Sequence, residues 1–125
     1  MDPNTGKKGM FNKLSKQQAM RLLKKETIKR KTVSFYKYVI LDHPDKLRDE
    51  LYAAWKDLGV LGRIYLAQEG INAQLSVPIN NWDAFRNNLY SKKGFLNMPI
   101  KIAIEDDGLS FFKLTIKVRK QIVAD

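Results

Sequence analysis

The stretch 71–77, INAQLSV, alternates strictly between apolar and polar side chains. A period of two is typical of a β-strand that has one face buried and the other face in solvent. Such a strand belongs to a sheet that is covered on one side only. This stretch therefore predicts a two-layer architecture, and the rest of the chain has to supply the covering layer.

Two segments have the apolar spacing of amphipathic helices and can form that layer. The first, 44–59, has Pro44 in its first turn and Gly59 at its end. Its apolar face consists of Leu47, Leu51, Ala54, Trp55 and Leu58. The second, 81–90, has Trp82, Phe85 and Leu89 on one face. The residues predicted to cap the two amino-terminal ends are Asp42 or His43 and Asn80 or Asn81.

Segments rich in β-branched and aromatic residues surround the two helices and predict strands. They are 32–41, 62–68, 71–78 and two runs within 100–120 that flank a predicted hairpin turn at Asp107 and Gly108. The order is strand, helix, strand, strand, helix, strand, with an additional strand before the last. This pattern predicts an α+β, ferredoxin-like (βαββαβ) domain, in which both helices cover one face of an antiparallel sheet.

The positive charge is concentrated at the amino terminus. Residues 1–31 carry a net charge of +8, whereas residues 32–125 carry +2. We predict a basic, partly disordered extension over 1–31 and a folded domain over 32–125. A helix is predicted over 15–30, with Ser15 and Gln18 as a capping box. The charge favours a polyanionic partner, although a solvated tail or an arm packed elsewhere would have the same composition.

The composition also excludes several classes of protein. The sequence contains no cysteine, which excludes disulfides, thiolate metal sites and cysteine nucleophiles within these residues. No apolar run approaches the roughly 20 residues that span a bilayer, and the amino terminus has no secretory signal pattern. We therefore expect a cytoplasmic protein without a membrane partner.

The last strand offers a binding surface. In the run 111–119, apolar side chains predicted to be buried (Phe112, Leu114, Ile116, Val118) alternate with Phe111, Lys113, Thr115, Lys117 and Arg119. The second set would lie on the open face beside Asn72, Gln74 and Ser76. RNA-binding modules of this topology hold unstacked bases on such a face. No RNP-type motif is present, and packing of the amino-terminal helix or of another domain on this face is the alternative.

Catalytic and metal sites receive weaker support from the residues. Glu69 and Gly70 are interpreted as a hairpin turn, with glycine supplying a positive φ, because no acid, histidine or base nearby in sequence would partner Glu69. His43 beside Asp42 and Asp45 is interpreted as a helix start, and Glu105, Asp106 and Asp107 as a charged turn. No metal site is predicted.

Small domains of this shape include acylphosphatases, so we compared the loop between the first strand and the first helix. That enzyme class requires a glycine-rich phosphate loop with an arginine, whereas this loop reads LDHPDK and has no glycine. The sequence therefore predicts an acylphosphatase-like shape without acylphosphatase chemistry.

The segment 62–78, GRIYLAQEGINAQLSVP, is followed about thirty residues later by 111–125, FFKLTIKVRKQIVAD. Together they resemble the amino-terminal domain of the bacterial rhodanese-domain family that hydroxylates the wobble uridine of tRNA. The resemblance covers about 33–125 and implies formation of 5-hydroxyuridine with molecular oxygen at a cysteine in a downstream rhodanese domain. That cysteine has no counterpart here, so we expect a front domain of a longer enzyme, without a cofactor or catalytic residues of its own.

For such a domain we predict a supporting role in tRNA binding. The predicted contacts are Lys24, Lys25, Lys29, Arg30 and Lys31 in the extension, and Arg63, Lys113, Lys117, Arg119 and Lys120 on the sheet. The family motif is predicted to shape a cleft edge; it comprises Gln68, Glu69, Gly70, Ile71 and Asn72. The alternative is a structural module that packs on the rhodanese domain or self-associates without RNA contact.

Overall fold

A computed structural model describes residues 15–18, 29–103 and 111–123. The helices are α1 (Pro44–Asp57) and α2 (Trp82–Tyr90), and a short 3₁₀ turn (Ile79–Asn81) precedes α2. The strands are β1 (Arg30–Tyr38), β2 (Leu61–Ala67), β3 (Gly70–Pro78), β4 (Lys101–Ile102) and β5 (Leu114–Val118). This order confirms the predicted alternation of strands and helices.

The five strands form one sheet in the order β4-β1-β3-β2-β5. β3 pairs antiparallel with both β1 and β2, so β1 and β2 run parallel with β3 inserted between them. This is the split βαβ arrangement, and it confirms the ferredoxin-like fold. The sheet is mixed rather than wholly antiparallel, because β5 pairs parallel with β2.

The predicted hairpin between the last two strands is wrong. β4 pairs with β1 at one edge of the sheet, and β5 pairs with β2 at the other edge. Asp107 and Gly108 lie outside the described residues. A turn-forming dipeptide reports only the local chain reversal, whereas both sheet edges were available to these strands. Each strand completes a different edge, which short-range signals do not distinguish.

The hydrophobic core lies between the sheet and the two helices. Ile71, Leu75 and Val77 are fully buried and Ala73 is 1% exposed, which confirms the buried set predicted for β3. Of the polar set, Gln74 is exposed and Asn72 partly exposed, whereas Ser76 is fully buried beside Arg30. The Trp55 ring on α1 lies 4.9 Å from the Phe85 ring on α2, centroid to centroid. Trp55 Nε1 also donates a hydrogen bond to Asn88 Oδ1 at 2.8 Å, which fixes the two helices to one another.

The helix faces follow the predicted spacing, with one shift. Trp82, Phe85 and Leu89 are buried as predicted. On α1, Leu51 and Trp55 are buried, whereas Leu47, Ala54 and Leu58 are only partly buried. The other buried residues of α1 are Pro44, Arg48 and Tyr52. The buried face is therefore rotated towards the side that Arg48 and Tyr52 share.

The predicted amino-terminal caps do not form. His43 and Asn81 occupy the N-cap positions of α1 and α2, but neither side chain makes a capping hydrogen bond. Asn81 Nδ2 instead donates to the Leu58 carbonyl at 2.9 Å, and so satisfies the end of α1. Gly59, with φ of +76°, ends α1 as predicted.

The capping box at the amino terminus is present. The Ser15 N–H donates to Gln18 Oε1 at 3.0 Å, and the Gln18 N–H donates to Ser15 Oγ at 3.1 Å. Residues 16–18 are helical, and residues 19–28 of the predicted helix lie outside the described part of the chain. β1 begins at Arg30, two residues before the predicted domain start, because Arg30 and Lys31 pair with Pro78 and Val77 of β3.

Within 15–18, 29–103 and 111–123, no helix is both long enough and apolar enough to cross a bilayer.

Candidate nucleic-acid interface

The side of the sheet that α1 and α2 leave uncovered, here called the open face, is built from strand positions that alternate with the core. The strand registers align its residues in rows. One row contains Tyr36, Asn72, Tyr65 and Lys117, which are successive partners on β1, β3, β2 and β5. The neighbouring row contains Lys101, Ser34, Gln74, Arg63 and Thr115, and adds β4. The period of two in each strand places these polar and aromatic groups together.

Charge is distributed unequally between the two sides of the domain. The strand positions of the open face hold four cations in the described chain and no Asp or Glu: Arg30, Arg63, Lys101 and Lys117. The helices hold acids and bases in nearly equal number, five and four; the acids are Asp45, Asp49, Glu50, Asp57 and Asp83. The described strand positions of the open face therefore carry net positive charge, which favours an anionic ligand.

Two arginines of the open face lie against aromatic rings. The Arg119 guanidinium is 5.7 Å from the Tyr65 ring centroid, and the Arg63 guanidinium is 6.0 Å from the Phe111 ring centroid. The Arg119 N–H also donates to the Leu66 carbonyl at 2.7 Å, which extends the pairing of β5 with β2. These contacts orient planar cations along the face, where guanidinium groups can make paired hydrogen bonds to phosphate.

An aromatic pair occupies the β1 side of the open face. Tyr36 is 46% exposed and Tyr38 is 60% exposed. Their rings meet edge to face, with centroids 5.2 Å apart and planes at 85°. A hydrogen bond with Tyr38 is the main cause that raises the pKa of Tyr36 to about 12, so the phenol is protonated at neutral pH.

A shallow depression of about 430 Å³ lies beside this pair. Its lining on the open face comprises Ser34, Tyr36, Asn72 and Gln74 from the central strands and Lys101 from β4. Pro99 and Ile100 complete one side of it, so the lining combines apolar groups and an aromatic ring with two amides, a hydroxyl and a cation. Such a set can stack on and hydrogen bond a planar polar ligand.

The predicted basic arm is divided by the structure. Arg30 Nη1 donates to the Gly59 carbonyl at 2.9 Å and lies 3.4 Å from Ser76 Oγ. Lys31 lies on the helix-covered side, with Nζ 4.8 Å from the Trp82 ring centroid. These two residues are therefore part of β1 and its packing and do not belong to an extension. Lys24 and Lys25 lie outside the described residues, and Lys29 is exposed directly before β1.

The predicted strand cations fall on or next to the open face. Arg63, Arg119 and Lys120 are exposed, and Lys113 and Lys117 are partly exposed. Lys117 and Arg63 stand in adjacent rows, since Tyr65 pairs with Lys117 and Arg63 pairs with Thr115. The structure therefore brings most of the predicted strand set together; Arg30 is held at the far end of the open face by Gly59 and Ser76, and Lys31 lies on the opposite side of the sheet.

The motif 68–72 forms the hairpin between β2 and β3 and ties several chain segments to it. The Gln68 carbonyl accepts from the Leu41 N–H, and the Glu69 carbonyl accepts from the Val39 N–H, both at 2.9 Å. Ile71 is fully buried in the core. Asn72 Nδ2 donates to the Ile122 carbonyl at 2.8 Å, which anchors the chain after β5 to β3.

Gly70 serves a different purpose from the one predicted. It is the first residue of β3 and not a turn residue, because Gln68 and Glu69 form the two-residue connection. A Cβ at Gly70 would lie 2.1 Å from the Lys37 carbonyl oxygen, so the position requires glycine for close approach to β1. The motif thus holds the neighbouring chain segments to the hairpin mainly through its backbone carbonyls, Gly70 and Asn72.

Glu69 and the clustered acids are the residues relevant to acid–base and metal chemistry. Glu69 is partly exposed, and its backbone carbonyl accepts a hydrogen bond from the Val39 N–H. Across 15–18, 29–103 and 111–123, no three His, Asp or Glu residues are grouped closely enough to hold a metal ion. Glu105, Asp106 and Asp107 lie outside these ranges.

The sequence reasoning missed the aromatic side of the open face. Tyr36, Tyr38, Tyr65 and Lys101 were not among the predicted site residues. The signal was nevertheless present in 33–38, VSFYKY, where Val33 and Phe35 are buried and the residues between and after them occupy the other face. Extending the alternation from β3 to β1 would have found Tyr36 and Tyr38.

Comparisons with known proteins place this geometry among its relatives. The family profile described as "UPF0176 acylphosphatase like domain" matches residues 30–122. The tRNA uridine(34) hydroxylase of Leptospira interrogans is 54% identical over 121 residues, which cover 97% of this chain and 33% of the relative. The protein of the same name from Hamiltonella defensa is 45% identical over 117 residues, which cover 93% of this chain and 33% of the relative.

The chain thus spans about a third of the length of the curated relatives it matches. Among solved structures, the dark state of the BLUF protein BlrB superimposes with a TM-score of 0.52 at 12% identity, covering 76% of each chain. At that identity the likeness concerns the fold alone.

Proposed function

The chain belongs to the UPF0176 acylphosphatase-like domain family, and we propose that it is the tRNA-binding module of a tRNA uridine hydroxylase. In this proposal the wobble uridine is converted to 5-hydroxyuridine with molecular oxygen at a rhodanese-domain cysteine outside these residues. The domain contributes binding energy and orientation to the reaction, and its open face contacts the tRNA.

The segregation of charge is the observation that carries this proposal. A helical layer with nearly balanced charge lies behind a sheet whose described open-face positions hold four cations and no carboxylate. Phosphate contacts by Lys and Arg supply most of the affinity of non-specific nucleic-acid binding, because each contact releases condensed counterions. A face without carboxylates avoids repulsion of the phosphates.

The dimensions of the face suit a nucleic-acid backbone. Four strand spacings of about 4.8 Å separate β4 from β5, so the row from Lys101 to Thr115 spans roughly 19 Å. Lys101 stands at one edge, and Lys117 and Arg119 stand at the other. Cations at both edges, with aromatic and amide groups between them, allow backbone contacts on either side of exposed bases.

The test is a titration of the chain with tRNA at several salt concentrations. We expect Lys117→Ala combined with Arg119→Ala to reduce the slope of log affinity against log salt by about 1.4 to 1.8, since each lost phosphate contact removes about 0.7 to 0.9. The matched control is Lys46→Ala with Lys93→Ala. It removes the same charge from exposed positions outside the sheet and is expected to leave the slope nearly unchanged.

Binding that is absent at low salt, or an equal loss of slope in both double variants, would contradict the tRNA-binding proposal. The alternative is a module that packs against another domain without RNA contact. The exposure of large apolar side chains favours this alternative: Ile40 is 83% exposed and Leu96 is 68% exposed. In that case the charge variants would leave tRNA affinity unchanged, whereas Ile40→Ser with Leu96→Ser would weaken the interdomain contact.

A further inference from the structure

We propose that the depression beside Tyr36 binds one unstacked nucleobase of a single-stranded RNA segment. This inference rests on the tRNA-binding role proposed above and assigns one part of the open face to one chemical group. The β2–β5 side, with Arg63, Lys117 and Arg119, contacts phosphates. The β1–β3 side, with Tyr36, contacts a base.

The position of the depression supports this division. Tyr36 and Lys117 belong to the same row and are three strands apart, so about 14 Å separates the aromatic group from the cationic edge. Lys101 borders the depression from the other side. A base that enters between them has cations on both sides to neutralise the phosphates that flank it.

Tyr36 provides the stacking surface. In an edge-to-face pair, the edge of one ring meets one face of the other ring, so ring surface remains available for a base. The contact with Tyr38 also holds the Tyr36 side chain in a defined orientation. With 46% of its surface exposed, Tyr36 can cover a base without displacing another side chain. Every base has a π-face, so a stack of this kind accepts any base that is not already paired.

Asn72 and Gln74 supply groups that can recognise the edge of the base. Both line the depression, and each amide has a donor and an acceptor. Asn72 Nδ2 donates to the Ile122 carbonyl, which fixes the plane of that amide. Gln74 is exposed and can rotate to suit the ligand. Together with Ser34, these groups place hydrogen-bonding atoms beside Tyr36, Pro99 and Ile100, so the depression offers an apolar surface for the ring of a base and polar atoms for its edge.

The experiment compares three ligands of equal length: an oligouridylate, the same backbone without bases, and an RNA duplex. We expect the unmodified protein to bind the oligouridylate more tightly than the abasic backbone. We expect Tyr36→Ala to weaken oligouridylate binding about 5- to 150-fold, the range for loss of one base stack. Tyr36→Ala should have little effect on binding of the abasic or duplex ligand and should leave the salt slope unchanged.

Tyr36→Phe is the matched control, since it keeps the ring and removes only the hydroxyl. It should bind the oligouridylate within about twofold of the unmodified protein, because stacking depends on the ring. Equal affinity for oligouridylate and abasic backbone, together with no effect of Tyr36→Ala, would overturn the base site. If the salt slope persists in that case, the tRNA-binding proposal stands; if none of the RNAs binds, both proposals fail.

Discussion

Gly70 lies where the backbones of β1 and β3 come closest at the hairpin end of the sheet. Its φ of +154° and the 2.1 Å that would separate a Cβ from the Lys37 carbonyl oxygen leave no room for a side chain. The same neighbourhood includes Ile122, whose Cδ1 would lie 3.1 Å from that Cβ. One missing side chain therefore permits both the pairing of β1 with β3 and the return of the chain after β5.

Gly70→Ala is expected to lower the free energy of unfolding by about 2 kcal/mol, because backbone has to move to relieve the overlap. Gly59→Ala is the comparison. There φ is +76°, but the nearest atom is Pro78 Cγ at 3.1 Å, so the expected loss is about 1 kcal/mol. Urea denaturation with unchanged m-values measures both. Equal losses would show that close approach to β1 is not what requires glycine at position 70.

Tyr36 gives a second prediction for a single residue. Its hydrogen bond with Tyr38 raises its pKa from 10.0 to about 12, so the folded state binds this proton more tightly than the unfolded state. The resulting contribution to stability is complete below pH 10 and is lost as the pH rises to about 12. Tyrosinate absorbance should show a late transition that Tyr36→Phe removes and that Tyr38→Phe moves to lower pH.

If Tyr38→Phe leaves that transition in place, the hydrogen bond is not the cause of the raised pKa. The matched readout is the loss of stability at high pH. It should diminish in Tyr36→Phe, which has no phenol to titrate at this position.

At the level of elements, Asn81 shows how one side chain joins two helices. It stands at the start of α2, yet its amide donates to the carbonyl of Leu58, the C-cap residue of α1. The first turn of α2 follows a 3₁₀ turn that begins at Ile79, and its N-cap makes no side-chain hydrogen bond. The connection between β3 and α2 therefore completes the end of α1 and also leads into α2.

Asn81→Asp tests this assignment, because the two roles predict opposite changes in stability. The substitution should be neutral or stabilising if Asn81 acts as an N-cap, and destabilising if its amide donates to a carbonyl. Aspartate is as good an N-cap as asparagine and interacts favourably with a helix amino terminus. It cannot donate to Leu58, and it places a carboxylate against a carbonyl oxygen. We expect a loss of about 1 to 2 kcal/mol in thermal or urea unfolding. Asn80→Asp, at an exposed neighbouring position, is the control; a stabilised Asn81→Asp would contradict the assignment.

In the whole molecule, the two sides of one sheet have different roles. One side buries the core, and the other is the proposed ligand surface. The core needs α1 and α2 on one side, so the other side is free to hold rows of polar and aromatic groups. The chain after β5 packs against the hairpin end of this side, where Ile122 is 2% exposed, and Leu61 and Ser76 are buried at its other end. We expect the proposed tRNA binding to depend on the whole sheet, because Lys101, Arg63 and Lys117 lie on three different strands.

The sequence alone determined the alternation of elements and the polarity of each face. Periods of two and 3.6 are local properties, so β3, the faces of α2 and the cationic residues of β5 could be assigned without coordinates. The glycine that ends α1 and the capping box at Ser15 were recognisable for the same reason, since each acts within one turn of chain.

Only the tertiary structure decided which edge each of the last strands joins, that Arg30 binds the Gly59 carbonyl, and that Gly70 is needed beside Lys37. These features depend on atoms that are distant in sequence, so no local pattern encodes them. The row that unites Tyr36 with Lys117 has the same origin: each strand specifies its own outward residues, but only strand order and register make them neighbours.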